Sequence, residues 1–174
     1  MLLRAGCVSF LLAAGLSVAP TVSAGWQDTQ ATSTTAPLVV DGDVTHALTL
    51  TPADIRALPR TTVTVNEEGR SISYEGVLVG ELLKRAGAPV GRDLSGKAVA
   101  TYVRAFARDG YQVVFSLAEL DPAFTGSEII VADTIDGKPL FDYQGPLRIV
   151  APHDKRGARS IRMLQRIEVV RLAK

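Results

Sequence analysis

The sequence predicts an α+β domain built of mixed, mostly antiparallel β-sheets with a few short helices. Three observations carry that expectation. Beyond residue 37, short apolar runs rich in Val, Ile, Leu, Tyr and Phe recur between turn signals that contain Gly, Pro or Asp. Helical start and stop signals are few and close together. No segment repeats at the period of about 20–50 residues that marks a solenoid, and no alternation of strands with long helices points to a doubly wound parallel sheet.

Taken in order, Leu38-Val39-Val40 before Asp41-Gly42 and Ala47-Leu48-Thr49-Leu50 after it form a first hairpin. Thr51-Pro52-Ala53-Asp54 then combines an N-cap, a proline at the first helical position and an acid three residues after the cap. A short helix to residue 58 follows from it. Residues 61–67 alternate valine with threonine and turn at Glu68-Gly69 into a second strand over 70–74. The run 79–86 is a helix, closed by Gly87 and Pro89. Residues 98–106 and 111–115 flank Ala107-Arg108-Asp109-Gly110 as a third hairpin, and Ser116 caps a short stretch over 117–120 that ends at Asp121-Pro122. The apolar run 127–132 precedes the turn Asp136-Gly137-Lys138-Pro139, and 147–151 and 161–172 supply the last strands.

The first two dozen residues have one positive charge, Arg4, then the apolar run 8–18, then Val22-Ser23-Ala24. This is the order of a secretory signal, so residues 1–24 are expected to be removed and the protein to be periplasmic or secreted. No later run is long enough to span a bilayer, so the remainder is not expected to be membrane-embedded. Residues 25–36, rich in Thr, Ser and Ala, read as a flexible leader, and 37–174 as one domain of ordinary size. Loss of residues 1–24 takes Arg4 from the 19 basic residues and leaves 18 against 18 acidic ones. A neutral chain of this kind is not expected to bind nucleic acid. It also loses Cys7, its single cysteine. Disulfides, thiolate nucleophiles and cysteine-held metals are excluded with it.

No phosphate-binding glycine loop, His-Glu-x-x-His or Gly-x-Ser-x-Gly elbow is present, so no catalytic residue and no metal ligand is assigned. Three constellations remain. The first is the loop 152–162, where Lys155, Arg156, Arg159 and Arg162 gather around Gly157 and His153 opens the run. Arginine forks of this kind suit a phosphate, a carboxylate or a heteroaromatic plane, although the same charges also suit a solvated turn. The second is Arg104 to Tyr111, where Arg108-Asp109-Gly110 reads first as a turn, and Arg104, if it points inward from its strand, requires a partner. The third, Phe141-Asp142-Tyr143-Gln144-Gly145-Pro146, places carboxylate, phenol and amide groups just before a strand, as binding groups or as plain loop.

Four segments stand in a fixed order: Tyr74-Glu75-Gly76-Val77-Leu78-Val79-Gly80-Glu81-Leu82-Leu83; Asp109-Gly110-Tyr111 with Phe115-Ser116-Leu117; Asp136-Gly137-Lys138-Pro139-Leu140; and Gly145-Pro146-Leu147-Arg148-Ile149-Val150-Ala151-Pro152 running into Gly157-Ala158-Arg159-Ser160-Ile161-Arg162. Together they resemble the oxidoreductase molybdopterin-binding domain, the core of sulfite oxidase and plant nitrate reductase, over residues 38–172. The resemblance implies the sulfite oxidase-like fold and a pterin or molybdopterin-like ligand. It implies that Arg148, Arg159, Ser160 and Arg162 hold the pterin and its phosphate, and that Gln144 stands where the enzymes often carry a cofactor-binding histidine. Arg104, Tyr111, Asp142, Tyr143, His153 and Arg156 complete the expected ligand set, with Asp133 as a further carboxylate. In the family, the strand corresponding to 61–67 carries the cysteine that bonds molybdenum. Here Val65, Asn66 and Glu67 stand there, which argues against molybdenum.

Small exported relatives of this fold have been associated with free pterins and membrane signalling partners. The resemblance therefore implies a non-catalytic, pterin-binding sensor that reports to the periplasmic domain of a membrane protein. Two alternatives stand beside it: a molybdenum-cofactor oxidoreductase, or a subunit of one, with Asn66 or Glu67 as substitute ligand, and a scaffold whose pocket is filled by its own side chains.

Overall fold

The computed structural model describes residues 36–172. The secretory signal and nearly all of the leader expected from the sequence lie outside the described residues. The first hairpin joins β1 (Leu38–Gly42) to β2 (Leu48–Leu50), and α1 (Pro52–Arg56) follows at once. The Thr51 hydroxyl accepts from the Asp54 N–H, and the Asp54 carboxylate accepts from the Thr51 N–H, so two donors at the helix start are satisfied reciprocally. β3 (Thr61–Glu67) and β4 (Arg70–Leu78) form the second hairpin, with Glu68 and Gly69 both at positive φ in its turn. The helix α2 (Val79–Arg85) ends at Ala86, and Gly87 takes the left-handed conformation after it.

The third hairpin, β5 (Thr101–Ala107) with β6 (Gln112–Ser116), starts later than the apolar pattern suggests, because Gly96–Ala100 close into a 3-10 turn. Ser116 caps the 3-10 turn Leu117–Leu120 through a second capping box with Glu119. Asp121-Pro122 does not end the element there: Asp121 caps a further helical turn, α3 (Pro122–Thr125), by accepting from the Ala123 N–H. The remaining strands are β7 (Ile130–Ile135), β8 (Lys138–Pro139), β9 (Arg148–Val150) and β10 (Leu164–Arg171). The last strand starts three residues later than expected, since Met163 turns the chain at positive φ.

Among the described residues the strands make two five-stranded sheets. The first runs β2-β1-β10-β5-β6, and the second β3-β4-β7 with β8 and β9 along the other edge of β7. Every pairing is antiparallel except β1 with β10, which bring the two ends of the described chain side by side in parallel. The architecture is the mixed, mostly antiparallel α+β arrangement expected from the sequence.

Strand alternation fixes which side chains are buried. In β5, Thr101, Val103, Ala105 and Ala107 point to the main core, while Tyr102, Arg104 and Phe106 lie on the other face. Val103, Phe115 and Ile167 from the first sheet, Val77, Val131 and Ile149 from the second, and Leu82 and Leu83 of α2 meet in that core. Each side chain of this size contributes roughly 2 kcal/mol by its burial. The opposite face of the second sheet carries a separate apolar cluster of Val63, Tyr74, Ile130, Ala132, Leu140 and Val150. Both faces of the second sheet are therefore apolar. Arg148, two residues from Val150 in β9 and directly across from Ala132, is placed on the face of this second cluster.

Candidate functional site

The second cluster runs out into an open cleft of about 970 Å³. Its floor is set by Arg148, which is only 3% exposed in spite of its charge. One Nη of its guanidinium donates to the Tyr74 hydroxyl at 2.8 Å and to the Gln144 amide oxygen at 2.9 Å. The group lies 4.7 Å from the centre of the Tyr74 ring, a cation–π contact. No carboxylate pairs with it among the described residues, and its Nε, also buried, has no partner. Burial pushes the guanidinium pKa down, and the Glu67 charge opposes the shift. Burial likewise pushes the Tyr74 phenol up. A buried cation with neutral partners and a spare N–H is costly to keep, and it is well suited to an acceptor-bearing ligand.

The walls come from four parts of the chain. Val65 of β3 and Ile72 of β4, opposite one another in the hairpin register, form an apolar side. Tyr143, in the 3-10 turn Asp142–Gln144, is half-exposed, and the Arg162 guanidinium stands 5.3 Å from its ring centre. Tyr111, after the β5–β6 turn, donates its hydroxyl to the Ala158 carbonyl at 3.0 Å and so ties that turn to the β9–β10 loop. Within the loop, the Ser160 hydroxyl accepts from the Ala151 N–H at 3.2 Å, which closes its base. Arg70, Lys155 and Arg162 add positive charge to the rim and Glu67 and Glu68 negative charge, none of them in an ion pair among the described residues.

Of the residues expected to bind a ligand, Tyr111, Tyr143, Gln144, Arg148, Ser160 and Arg162 line this cleft together. The others are placed elsewhere. Arg104 does not point inward: it sits on the outer face of the first sheet, where its Nε donates to Glu168 at 2.7 Å and its guanidinium lies 5.1 Å from the Phe106 ring. Its partner is the residue directly across from it on β10. Arg159 holds Asp154 with two nitrogens, at 2.9 and 2.7 Å, and Glu119 with the third, at 2.7 Å. All three nitrogens are thus committed, and the Asp154 bond, then the Glu119 bond, push its pKa up. Arg159 is a strut for the loop. Asp142, at positive φ, His153 and Arg156 are exposed and stand outside the lining. Asp133 is taken by Arg60, which donates to it at 3.0 and 2.5 Å.

Val65 and Ile72 of the cleft wall, the Tyr74 hydroxyl, and the rim residues Glu68 and Arg70 are not among the site residues expected from the sequence. The hairpin itself held the signal. Period-two alternation across Glu68-Gly69 sets Val63, Val65 and Glu67 against Tyr74, Ile72 and Arg70 on one face.

The donor set fits a pterin. The cleft is as large as small-molecule sites usually are, and it combines apolar wall, aromatic rings and convergent donors. The donors do not supply a thiolate for a metal: the chain's one cysteine is Cys7, and the described residues contain no cluster of three or more His, Cys, Asp or Glu.

A fold of this topology with an arginine-floored cleft at the end of a Gly-Pro-x-Arg strand defines a class, and comparison gives it a family. The family model described as the oxidoreductase molybdopterin binding domain matches residues 26–173, and the chain belongs to that family. Among solved structures it is similar to the sulfane dehydrogenase SoxCD from Paracoccus pantotrophus, with 21% identity and a TM-score of 0.61, over 77% of this chain and 38% of that one. At that identity the likeness is one of fold, the sulfite oxidase-like molybdopterin-binding fold, and the match spans well under half of the sulfane dehydrogenase chain. No curated protein sequence matches. No helix among the described residues is long and apolar enough to cross a membrane.

Proposed function

We propose that the cleft binds a free pterin and that the protein is a non-catalytic, exported sensor that reports occupancy to a protein partner, such as the periplasmic domain of a membrane signalling protein. The observation that carries this reading is Arg148, a buried, carboxylate-free guanidinium with an orphan Nε at the floor of the cleft. A pterin offers ring nitrogens and a carbonyl to such a group, and a flat face to Tyr143 and Arg162. The family is one of pterin-type cofactors, which supports the ligand class. The missing cysteine supports a ligand without protein-anchored molybdenum. Calorimetry with 7,8-dihydroneopterin tests it, with one site and a Kd of about micromolar expected, near −8 kcal/mol. No heat at several hundred micromolar ligand would refute the reading.

One observation favours a second reading, a molybdenum-cofactor oxidoreductase or a subunit of one: Asn66 and Glu67, both oxygen donors, line the same cleft. Metal analysis of protein purified from its native compartment separates the two, since this reading requires molybdenum near one atom per chain.

A further inference from the structure

The β3–β4 hairpin leads outward from Tyr74 through Val63, Ile72 and Val65, and ends on the cleft face in Glu67 opposite Arg70. Opposite charges directly across an antiparallel pair ordinarily meet and stabilise the sheet. Here they do not: neither Glu67 nor Arg70 is in an ion pair among the described residues, and both line the cleft. The Glu67 charge opposes the lowering of the Arg148 pKa and adds to the raising of the Tyr74 pKa. The cleft therefore sets an uncommitted carboxylate on its rim against a buried guanidinium with a spare N–H on its floor. A ligand that satisfies both must present acceptors on one side and donors on another.

We propose that Glu67 sets the selectivity of the cleft for ring systems with two adjacent N–H donors, the 2-amino-4-oxo edge of a pterin, over rings of the same shape with oxygen at that position. This rests on the pterin reading above and refines it. A carboxylate has two oxygens that accept side by side, which matches a ring N–H beside an exocyclic amine. The 2-oxo analogue, a lumazine, turns a carbonyl oxygen toward the carboxylate in place of the amine, so one bond is lost and lone pairs oppose one another. A site built to hydrogen-bond a donor discriminates strongly against an analogue that lacks it.

The experiment is calorimetric titration of the full chain with neopterin and with the lumazine bearing the same trihydroxypropyl side chain, repeated on Glu67→Gln. Glu67 is exposed in the hairpin, so the variant is expected to melt as the wild type does, and a thermal scan checks this. The wild type should bind neopterin about tenfold or more tightly than the lumazine, and Glu67→Gln should bring the two within about threefold, mainly by weakening neopterin. Equal binding of both ligands by the wild type, or a preference that survives in Glu67→Gln, overturns the role of Glu67 and leaves the pterin reading intact. Failure of the wild type to bind either ligand overturns this inference, and absence of heat with 7,8-dihydroneopterin as well overturns the pterin reading with it.

Discussion

At the scale of single residues, the arginines divide by what surrounds them. Arg60, Arg104, Arg159 and Arg166 all hold carboxylates and serve the fold. Arg148 holds a phenol and an amide oxygen, and its charge is buried without a counter-ion among the described residues. Removal of an unpaired buried charge relieves its desolvation cost, which offsets the hydrogen bonds lost from Tyr74 and Gln144. Arg148→Met is therefore expected to leave the melting temperature of the ligand-free protein unchanged or raised by a few degrees, and to weaken pterin binding tenfold or more. Thermal scans paired with calorimetry check both halves. A large fall in melting temperature with binding retained would mean that Arg148 serves stability instead. Spacing alone could not make this division. Arg148, Arg159 and Arg162 lie within fifteen residues of one another in a basic stretch, and only the folded loop shows that Arg159 is turned back onto Asp154 and Glu119 while Arg162 lies over Tyr143.

At the scale of elements, two tests address how the cleft is held. The β9–β10 loop is strapped by Arg159 to Glu119, itself fixed by the Ser116 capping box. Burial works to raise the Glu119 carboxyl, but the Arg159 bond together with the Ser116 N–H and hydroxyl outweighs it and holds the pKa below the ordinary value of 4.5. A depressed carboxylate stabilises the fold above its unfolded pKa and loses that contribution as pH falls through its folded pKa. Melting temperature is thus expected to drop as pH falls below about 4.5, and Glu119→Gln to flatten that part of the profile while lowering the plateau at neutral pH. The second test is Gly76, at the bulge where β4 crosses β7, where an added Cβ would stand 2.0 Å from the Val131 carbonyl oxygen. Gly76→Ala is expected to cost about 3 kcal/mol in denaturant unfolding. Elements of this local kind were readable in the sequence. Thr51 and Ser116 cap their turns through acids three residues on, and Glu68-Gly69 and Asp109-Gly110 mark their hairpins, because the interactions involved span only a few residues. α3 was missed since Asp121-Pro122 reads equally as an end and as a start.

At the scale of the whole molecule, the pairing of β1 with β10 joins residues more than a hundred positions apart, and no local pattern announces it. The side on which Arg104 falls is equally non-local, because β5 carries apolar residues on both faces and only its place between β10 and β6 decides which is core. The fold class was legible from turn spacing and strand propensity, and the family from the ordered motifs. The cleft was half legible, as its basic loop and aromatic turn are contiguous in sequence while its apolar wall comes from a hairpin some eighty residues earlier. The proposed pterin site is an arginine-floored pocket with no thiolate among the described residues to anchor molybdenum. Mass spectrometry of the small molecules released from protein purified out of its native compartment tests it most directly. A pterin near one per chain and no molybdenum-bearing dithiolene species are expected. A pyranopterin recovered with molybdenum at one per chain would contradict it.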